Sequence, residues 1–260
     1  MCGRYASTID PARLAAEIGG VDETLLPEAG QAWRPDYNIA PTSEILIVTA
    51  AEDPGDERPR VRTARWGLVP PWAKEFGAGP VLFNARAETV TDKPSFRGDV
   101  RRRRCLVPMD GWYEWRPGAP DPKTGRPVKN PVYMALRDGR RLAMAGIWST
   151  YGDGRRSATV LTVDAVGALA AVHDRMPRIL APADWGRWLD PQAGPAPDLL
   201  APPPVAAAEE IEIRPVSRLV NSVRNNGPQL LEPVPVPPVS PASPGTDDSG
   251  RTEGGQLPLL

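Results

Sequence analysis

Short apolar runs separated by turn residues fill most of this chain, and they limit its fold more than any other feature of the sequence. Glycine and aspartate stand between most of the runs, as expected for β-strands joined by tight turns. Helical signals are few: Asp10 and Pro11 begin a short helix that Gly19 and Gly20 end. The sequence therefore predicts an α+β protein with a strand-rich core. The predicted strands are EILIVTA (44–50), RWGLVP (65–70), VLFNAR (81–86), RCLVPMD (104–110), VYMALRD (132–138), RLAMAGIWST (141–150) and SATVLTVDAV (157–166).

Three segments between these strands carry other signals. YNIAPT (37–42) is typical of a turn-rich connection, and DPKTGRPVKNP (121–131) of an exposed, hairpin-like loop. PADWGRWLD (182–190) predicts one further helix. We expect the few helices to be short and peripheral to the strands.

The composition changes near Glu232. From there the chain is rich in proline, serine and glycine and shows no apolar periodicity. Such a segment cannot bury enough apolar surface to fold. We therefore predict a folded domain at 1–231 and a disordered tail at 232–260.

The overall composition excludes several classes of protein. Apolar residues make up 41% and charged residues 24%, which is ordinary for a globular protein. The sequence shows neither a run long enough to span a bilayer nor a secretory signal peptide. Cys2 and Cys105 do not make a disulfide framework, and Cys105 is expected to be a buried core thiol. These features predict a cytoplasmic protein without membrane contact.

One short span concentrates positive charge in a chain whose net charge is only -1. It holds Arg97 and the run Arg101–Arg104. A run of this kind is either a solvated face or a patch that faces phosphate, because the arginine fork binds phosphate well. Eight tryptophans against three phenylalanines add stacking surfaces that suit nucleic-acid bases.

Cys2 is the residue with the most distinctive chemistry. Loss of Met1 would leave a cysteine whose α-amine and thiol are both nucleophilic near neutral pH. The amine could serve as a base for the thiol, as in N-terminal-nucleophile hydrolases. Alternatively, both groups could attack one aldehyde, the amine giving a Schiff base and the thiol closing a thiazolidine ring. An incidental cysteine in a frayed terminus is a third interpretation.

Four short segments hold the polar residues that could support such chemistry. Taken singly, each residue also has an ordinary structural explanation, such as a turn, a strand carboxylate in an ion pair or a buried polar group. The four segments are MCGRY with Cys2 and Arg4, FNARAET with Asn84, Arg86 and Glu88, DGWYEW with Glu114, and VHDRMP with His173, the one histidine of the chain.

These segments, in order, resemble the SOS response-associated peptidase (SRAP) family of abasic-site shielding proteins. The resemblance extends from Cys2 to about Val234 and does not cover the tail. It implies a barrel-like mixed core and an enzyme that crosslinks to abasic sites in single-stranded DNA, without a metal or cofactor. The motifs that carry it are MCGRY, YNIAPT, WGLVPPW, NARAET, RCLVPMDGWYEW, HDRMP and VSRLVNSVRNNGPQLLEPV.

The resemblance also implies a role for individual residues. Cys2 would form the thiazolidine after loss of Met1, and Asn84 would orient the cysteine and the sugar. Glu114 would shuttle protons, and His173 would assist opening of the sugar ring and reversal of the crosslink. The implied DNA contacts are Arg4, Arg86 and Arg175 with phosphates and Trp72 and Trp115 with flanking bases. A phosphate-binding arginine of some relatives falls near Pro94, so Lys93 or Arg97 is expected to replace it.

Two other functions remain open at this stage. One is a thiol peptidase or amidase acting through Cys2, with the Met1–Cys2 bond as its most plausible peptide target. The other is a non-covalent reader of modified or single-stranded DNA. Separately, the segment Gln256–Leu260 (QLPLL) resembles the short peptides with which bacterial proteins dock on the DNA polymerase sliding clamp.

Overall fold

The β-strands of the protein are short and numerous, as the sequence predicts. The computed structural model describes residues 2–25, 33–53 and 55–235. Within these residues the strands are β1 (Tyr5–Ser7), β2 (Val21–Asp22), β3 (Asp36–Ile39), β4 (Glu44–Thr49), β5 (Arg60–Trp66), β6 (Asn84–Arg86), β7 (Arg104–Met109), β8 (Gly111–Pro120), β9 (Pro127–Leu136), β10 (Leu142–Thr150), β11 (Arg156–Asp164), β12 (Arg175–Pro177) and β13 (Ile211–Pro215).

Five of these strands close into a barrel. β5, β4, β7, β10 and β11 pair in that order through antiparallel ladders. Ser157 and Ala158 of β11 then pair in parallel with Arg65 and Trp66 of β5, which closes the ring. Closure leaves these strands without free edges. The barrel-like mixed core that the family resemblance implies is therefore confirmed.

β6 and β12 are both held by β11, and this arrangement matters for the site. Asn84 of β6 pairs in parallel with Val160, and Arg175 of β12 pairs antiparallel with Asp164. Residues that lie about 90 positions apart in sequence are thereby attached to one strand.

A second sheet packs beside the barrel, with the strand order β13, β9, β8, β1, β3. Its longest pairing is the β8–β9 hairpin, which joins Trp112 to Met134 and reaches Pro120 and Pro127 at its tip. The predicted exposed loop at 121–131 is therefore shorter than expected, since β9 already begins at Pro127. β1 pairs with β8 through Tyr5 and Trp112.

The prediction for YNIAPT is wrong in its first half. Asp36–Ile39 is strand β3, and Tyr5 of β1 pairs with Ile39. Only the end of the motif turns, at Thr42, whose φ is 80°. Pro41 and the polar residues around it indicated a loop, but pairing with β1 decides the conformation of the preceding residues.

The helices are short and lie outside the strands, in agreement with the sequence. Asp10 caps the first of them by accepting a hydrogen bond from the backbone N–H of Arg13 at 2.9 Å. The helix predicted at 182–190 is confirmed as a 3₁₀ turn, Pro182–Asp184, that leads into a helix. The helices are α1 (Pro11–Glu17), α2 (Asp99–Arg102), α3 (Trp185–Leu189), α4 (Pro197–Leu200) and α5 (Val205–Glu209).

Alternate side chains of the barrel strands enter two different cores, as the two-residue period of a strand requires. Ile45 and Ile47 pack in a core shared with Trp112 of the second sheet. Leu46 and Val48 pack in a core covered by helices. The predicted core thiol, Cys105, is fully buried in the first of these cores.

The arginine run does not form a single surface. Arg101, Arg102 and Arg103 are exposed, but Arg104 is only 2% exposed. The Arg104 guanidinium donates to the carbonyl oxygens of Trp188, Val100, Arg101, Asp190 and Ala193. Arg104 is therefore a buried structural residue, and both interpretations of the run are wrong for it. The number of charges in the segment does not show that the Arg104 side chain of β7 lies in the core.

The predicted disordered tail and its terminal peptide lie almost wholly outside the described residues, which end at Pro235. The described part of the chain contains no helix long and apolar enough to cross a membrane.

Candidate active site

Cys2 lies at the start of the strand pairing between β1 and β8. The backbone N–H of Tyr113 donates to the carbonyl of Arg4 at 2.9 Å, which continues the ladder toward the amino terminus. Cys2 is fully buried and packs in the same core as Trp112. The thiol is therefore fixed in a defined place, and the interpretation of an incidental cysteine in a frayed terminus does not fit.

The surroundings keep the Cys2 thiol protonated. Burial raises its pKa well above the usual cysteine range, and the nearby Glu114 carboxylate raises it further. A thiol in this state is a weak nucleophile, because the thiolate is the reactive form. Reaction at Cys2 therefore requires a base close by.

Asn84 holds the backbone of Cys2. Its side-chain Nδ2 donates to the Cys2 carbonyl at 2.8 Å. Asn84 is in turn fixed by β6, which pairs with β11. Its Oδ1 is buried and accepts no hydrogen bond from the described residues. Nδ2 of Asn84 thus positions Cys2, and Oδ1 of Asn84 is available to accept a hydrogen bond from a ligand.

Glu114 is a buried carboxyl group beside Cys2. It follows Trp112 by two residues on β8, so both side chains lie on the same face of the sheet. Glu114 is 4% exposed, and this burial raises its pKa to about 7. Asp174 adds to the increase. A carboxyl group with this pKa can give and take a proton near neutral pH.

His173 lies two residues before β12 and contacts Asp174, whose charge also acts on Glu114. Its Nδ1 accepts a hydrogen bond from the backbone N–H of Arg175 at 2.9 Å and lies 2.6 Å from Oδ1 of Asp174. The first contact requires an unprotonated Nδ1, whereas the second is an ion pair only if the ring is charged. Burial lowers the pKa of His173, so we assign the neutral ring, which carries its proton on Nε2.

Arg4, two residues after Cys2, packs against Trp115, which lies on the Tyr113 face of the second sheet. Nη1 of Arg4 donates to Oδ1 of Asn38 at 2.7 Å and to the carbonyl of Val220 at 2.8 Å. The guanidinium lies 5.7 Å from the centre of the Trp115 ring. Trp115 Nε1 in turn donates to Oδ1 of Asn221 at 2.7 Å. Arg4 thus has structural partners of its own in addition to the predicted phosphate contact.

Arg86 and Arg175, the two other predicted phosphate contacts, differ in exposure and in their ion pairs. Arg86 is exposed at the end of β6. Arg175 is 7% exposed. Its guanidinium forms a bidentate ion pair with Glu88, at 2.7 and 2.9 Å, and a second ion pair with Asp164. Burial alone would lower the pKa of Arg175, but these two carboxylates raise it above the usual arginine range. Arg86 is available to a phosphate as it stands, whereas Arg175 already has two anionic partners.

The last two predicted DNA contacts lie on the surface. Trp72 is 62% exposed, which is unusual for so large an apolar side chain. Arg97 is exposed just before α2. No contact ties either residue to Cys2 directly, so the fold supports their exposure but not a common site.

Comparison with known proteins decides the family. The model of the SOS response associated peptidase (SRAP) family matches residues 1–223. This chain belongs to that family.

Similar proteins cover nearly the full SRAP-like region. The abasic site processing protein YoqW of Bacillus subtilis is 38% identical in an alignment of 242 positions that covers 89% of this chain and 99% of YoqW. The abasic site processing protein HMCES of Gallus gallus is 33% identical over 90% of this chain and 78% of its own length. YedK of Escherichia coli, of the same description, is 31% identical over 90% of this chain and all of its own.

Solved structures agree on the SRAP fold. A protein from Bacteroides thetaiotaomicron superposes with a TM-score of 0.70 at 24% identity and covers 90% of this chain and all of its own. A phage-related protein from Bordetella bronchiseptica superposes with a TM-score of 0.61 at 30% identity, over 84% of this chain and 95% of its own.

In this SRAP domain the residues around Cys2 come from distant parts of the chain. β8 brings Glu114, β6 brings Asn84, and His173 lies two residues before β12. Two large clefts, of about 1140 and 340 Å³, lie elsewhere, and their linings contain none of these residues. Among the described residues, no group of three histidine, cysteine or acidic side chains could hold a metal ion.

Sequence reasoning missed several residues that the SRAP domain uses around the site. Asn38 holds Arg4, and Asp164 pairs with Arg175. Asp174 touches the His173 ring. Asn38 lies inside the YNIAPT motif, so the resemblance carried a signal for it. Asp174 lies inside the HDRMP motif and carried the same kind of signal, whereas Asp164 carried none, since its role depends on the pairing of β11 with β12.

The raised pKa of Glu114 predicts a measurable cost in stability. The folded pKa of about 7 lies above the usual glutamate pKa of about 4.5, so the native state binds this proton more tightly than the unfolded chain. Stability is therefore lost as pH rises from about 4.5 to about 7, by roughly 3 kcal/mol in total. Glu114→Gln should unfold at a higher urea concentration than the wild type at pH 8 and at an equal concentration near pH 4.

Glu88→Gln is the matched control for this measurement. Its pairing with Arg175 lowers the pKa of Glu88, so the native state favours the charged form. The stability from Glu88 is present above the unfolded pKa and is lost as pH falls. Glu88→Gln should therefore destabilise at pH 8, the opposite sign. Equal urea midpoints for Glu114→Gln and wild type at pH 8 would contradict the raised pKa.

Proposed function

We propose that this protein processes abasic sites in DNA by forming a covalent crosslink through Cys2. The observation that carries the proposal is the immediate environment of Cys2, in which Asn84 holds the backbone and Glu114 is a carboxyl group with a pKa of about 7. The names of the relatives, abasic site processing proteins, support the same class of substrate.

The proposed reaction needs the amine and the thiol of one residue. Removal of Met1 frees the α-amine of Cys2, which adds to the open-chain aldehyde of the abasic sugar. The resulting carbinolamine loses water to give an imine. The Cys2 sulfur then adds to the imine carbon while its proton passes to the imine nitrogen. The product is a thiazolidine, and one water molecule is released overall.

Glu114 and His173 supply the proton transfers in this scheme. Protonated Glu114 assists departure of the carbinolamine hydroxyl as water, and the resulting carboxylate accepts the proton of the Cys2 thiol. His173, neutral and carrying its proton on Nε2, is a hydrogen-bond donor for the sugar ring oxygen. That donation favours the open-chain aldehyde, which is otherwise a small fraction of the sugar.

A denaturing gel tests the function directly. The protein is mixed with a single-stranded oligonucleotide that carries one abasic site, and a heat-stable shifted band is expected. A non-covalent reader of DNA would give a shift only on a native gel. A peptidase or amidase acting through Cys2 would give no DNA shift under either condition. The SRAP name refers to a peptidase, and cleavage of the Met1–Cys2 bond is the peptidase reaction that the proposed crosslink requires.

Arg86 is the phosphate contact that the structure leaves most accessible. Arg86→Ala should weaken binding to single-stranded DNA equally for all sequences, because phosphate contacts do not read bases. Loss of one phosphate contact should reduce the salt slope of the affinity by roughly 0.7. Fluorescence anisotropy over a range of salt concentrations measures the slope. Arg126→Ala, at the exposed tip of the β8–β9 hairpin, is the control, and an unchanged slope for Arg86→Ala would make Arg86 structural.

The segment Gln256–Leu260 supports a second, separate proposal about a partner. We propose that it docks on the DNA polymerase sliding clamp, with its leucines in an apolar pocket and the Gln256 amide at the rim. A linker of about 20 residues with the dimensions of a random coil would reach roughly 25 Å, enough to hold the SRAP domain near a replication fork. Calorimetry of a 250–260 peptide against the clamp tests this, with Gln256→Ala/Leu259→Ala as control. Equal binding by the control, or none at tens of micromolar, would contradict it.

A further inference from the structure

Residues 217–226, here called the latch, form a surface next to the site to which the proposed function gives no role. The latch begins with a 3₁₀ turn, Arg218–Asn221, in which the backbone N–H of Leu219 donates to Oγ of the capping residue Ser217. Val220 is fully buried and anchors the turn in a small core with Tyr113 and Tyr133 of the second sheet. The latch therefore lies on the outer face of the sheet that carries Glu114.

One buried side chain fixes the backbone of the latch. Asn38 is 3% exposed, and its Nδ2 donates to the carbonyls of Val220, Ser222 and Asn225 at 3.3, 2.9 and 2.8 Å. Arg4 donates to the same Val220 carbonyl. The latch is thus held in one conformation before any ligand arrives, which reduces the entropy cost of binding.

The latch contacts Arg4 and Trp115, two of the DNA contacts that the family resemblance implies. Asn221 accepts a hydrogen bond from the ring of Trp115, which follows Glu114 on β8 and packs against the same small core as Val220. Arg4, which contacts both Val220 and Trp115, is two residues from Cys2. A strand of DNA that passes from Cys2 along Arg4 and Trp115 would therefore meet the latch.

The exposed side of the latch has the chemistry that a nucleic-acid strand requires. Leu219 and Val223 are 52% and 58% exposed, although the chain buries most residues of their kind. Arg218 and Arg224 stand beside them on the surface. The sequence has three arginines and no acidic residue from 213 to 231. A positive surface with apolar patches suits phosphates and the faces of unstacked bases.

We propose that the latch binds the single strand of DNA on one side of the abasic nucleotide, with Arg224 on phosphate and Leu219 and Val223 against bases. This inference rests on the proposed function for the position of the abasic nucleotide. It adds a binding surface that extends the site beyond Trp115. Because the contacts are to backbone and base faces, the latch should show little sequence preference.

Affinity for two lengths of oligonucleotide tests the latch. Leu219→Ser/Val223→Ser and Arg224→Ala are compared with the wild type in a Cys2→Ala background, which removes crosslinking. Anisotropy is measured with an abasic oligonucleotide that has about ten nucleotides on each side and with one that has a single neighbour on each side. Each variant should bind the long strand about 5-fold more weakly, the equivalent of about 1 kcal/mol, and the short strand as the wild type does. Arg224→Ala should also reduce the salt slope by roughly 0.7.

Val205→Ser is the matched control, since Val205 of α5 is 51% exposed and lies outside the latch. Thermal melting of each variant checks that the fold is intact. Wild-type affinity of both latch variants for the long strand would overturn the proposal, as would an equal loss on both lengths. Crosslinking by the Cys2-containing latch variants should slow only at low DNA concentration and reach the wild-type rate at saturation. If the denaturing gel shows no crosslink for the wild type, the proposed function fails, while the anisotropy result still decides the latch.

Discussion

Cys2→Ala should abolish the heat-stable DNA adduct completely. The variant loses the thiol that closes the ring, so at most a reversible imine with its α-amine can form. Cys2→Ser should behave similarly, giving an imine or a weak oxazolidine that reduction with borohydride would trap. A residue placed before Cys2 that cannot be trimmed should also abolish the adduct, because it converts the amine into an amide. Denaturing gels with an abasic single strand measure all three.

The other cysteine of the chain provides the control. Cys105 is as fully buried as Cys2 and packs in the same core, but it lies on a barrel strand. Cys105→Ala should therefore retain the adduct in full, apart from a modest loss of stability from the removed side chain. An adduct formed by a protein with a permanently blocked amino terminus would contradict the Cys2 mechanism.

Glu114→Ala should slow crosslinking by about 10²- to 10⁴-fold, the range for loss of a general acid–base group. The pKa of about 7 gives this residue two roles on opposite sides of neutrality. Dehydration of the carbinolamine needs the protonated acid and fails as pH rises above 7. Deprotonation of the thiol needs the carboxylate and fails as pH falls below 7. The single-turnover rate should therefore be highest near pH 7, and Glu114→Gln should remove this dependence.

A variant of a second buried acid is the control for the general consequences of removing a buried carboxyl group. Asp99 is also 4% exposed, and burial raises its pKa, but it lies in α2 and pairs with Arg103 at 3.0 Å. Asp99→Asn should crosslink at the wild-type rate with an unchanged pH profile. His173→Ala should slow capture of the cyclic sugar yet keep the dependence on Glu114. A Glu114→Gln profile that still peaks near pH 7 would assign the titration to another group.

The sequence by itself determined the elements whose signals are local. The apolar runs predicted most of the strands, because successive side chains of a strand face opposite sides and both sides are buried here. Asp10, Pro11 and the Gly19–Gly20 pair determined α1 through capping and backbone preferences that need no tertiary contact. The family resemblance rested in the same way on short contiguous motifs. Cys2, Asn84, Glu114 and His173 could be named from these motifs alone, although their distances from one another could not.

Only the tertiary structure decided what the charged side chains bind. The same residue type takes three different roles in the fold. Arg86 is exposed, Arg104 donates hydrogen bonds to backbone carbonyls in the core, and Arg175 is paired with two carboxylates. The Glu88 partner of Arg175 lies 87 positions away in sequence. Which charge meets which depends on the pairing of β6 and β12 with β11, and strand pairing between distant segments leaves no local pattern in a sequence. The pKa of Glu114 has the same origin, because burial by residues far along the chain, and not the carboxyl group itself, raises it to the value that its proposed chemistry requires.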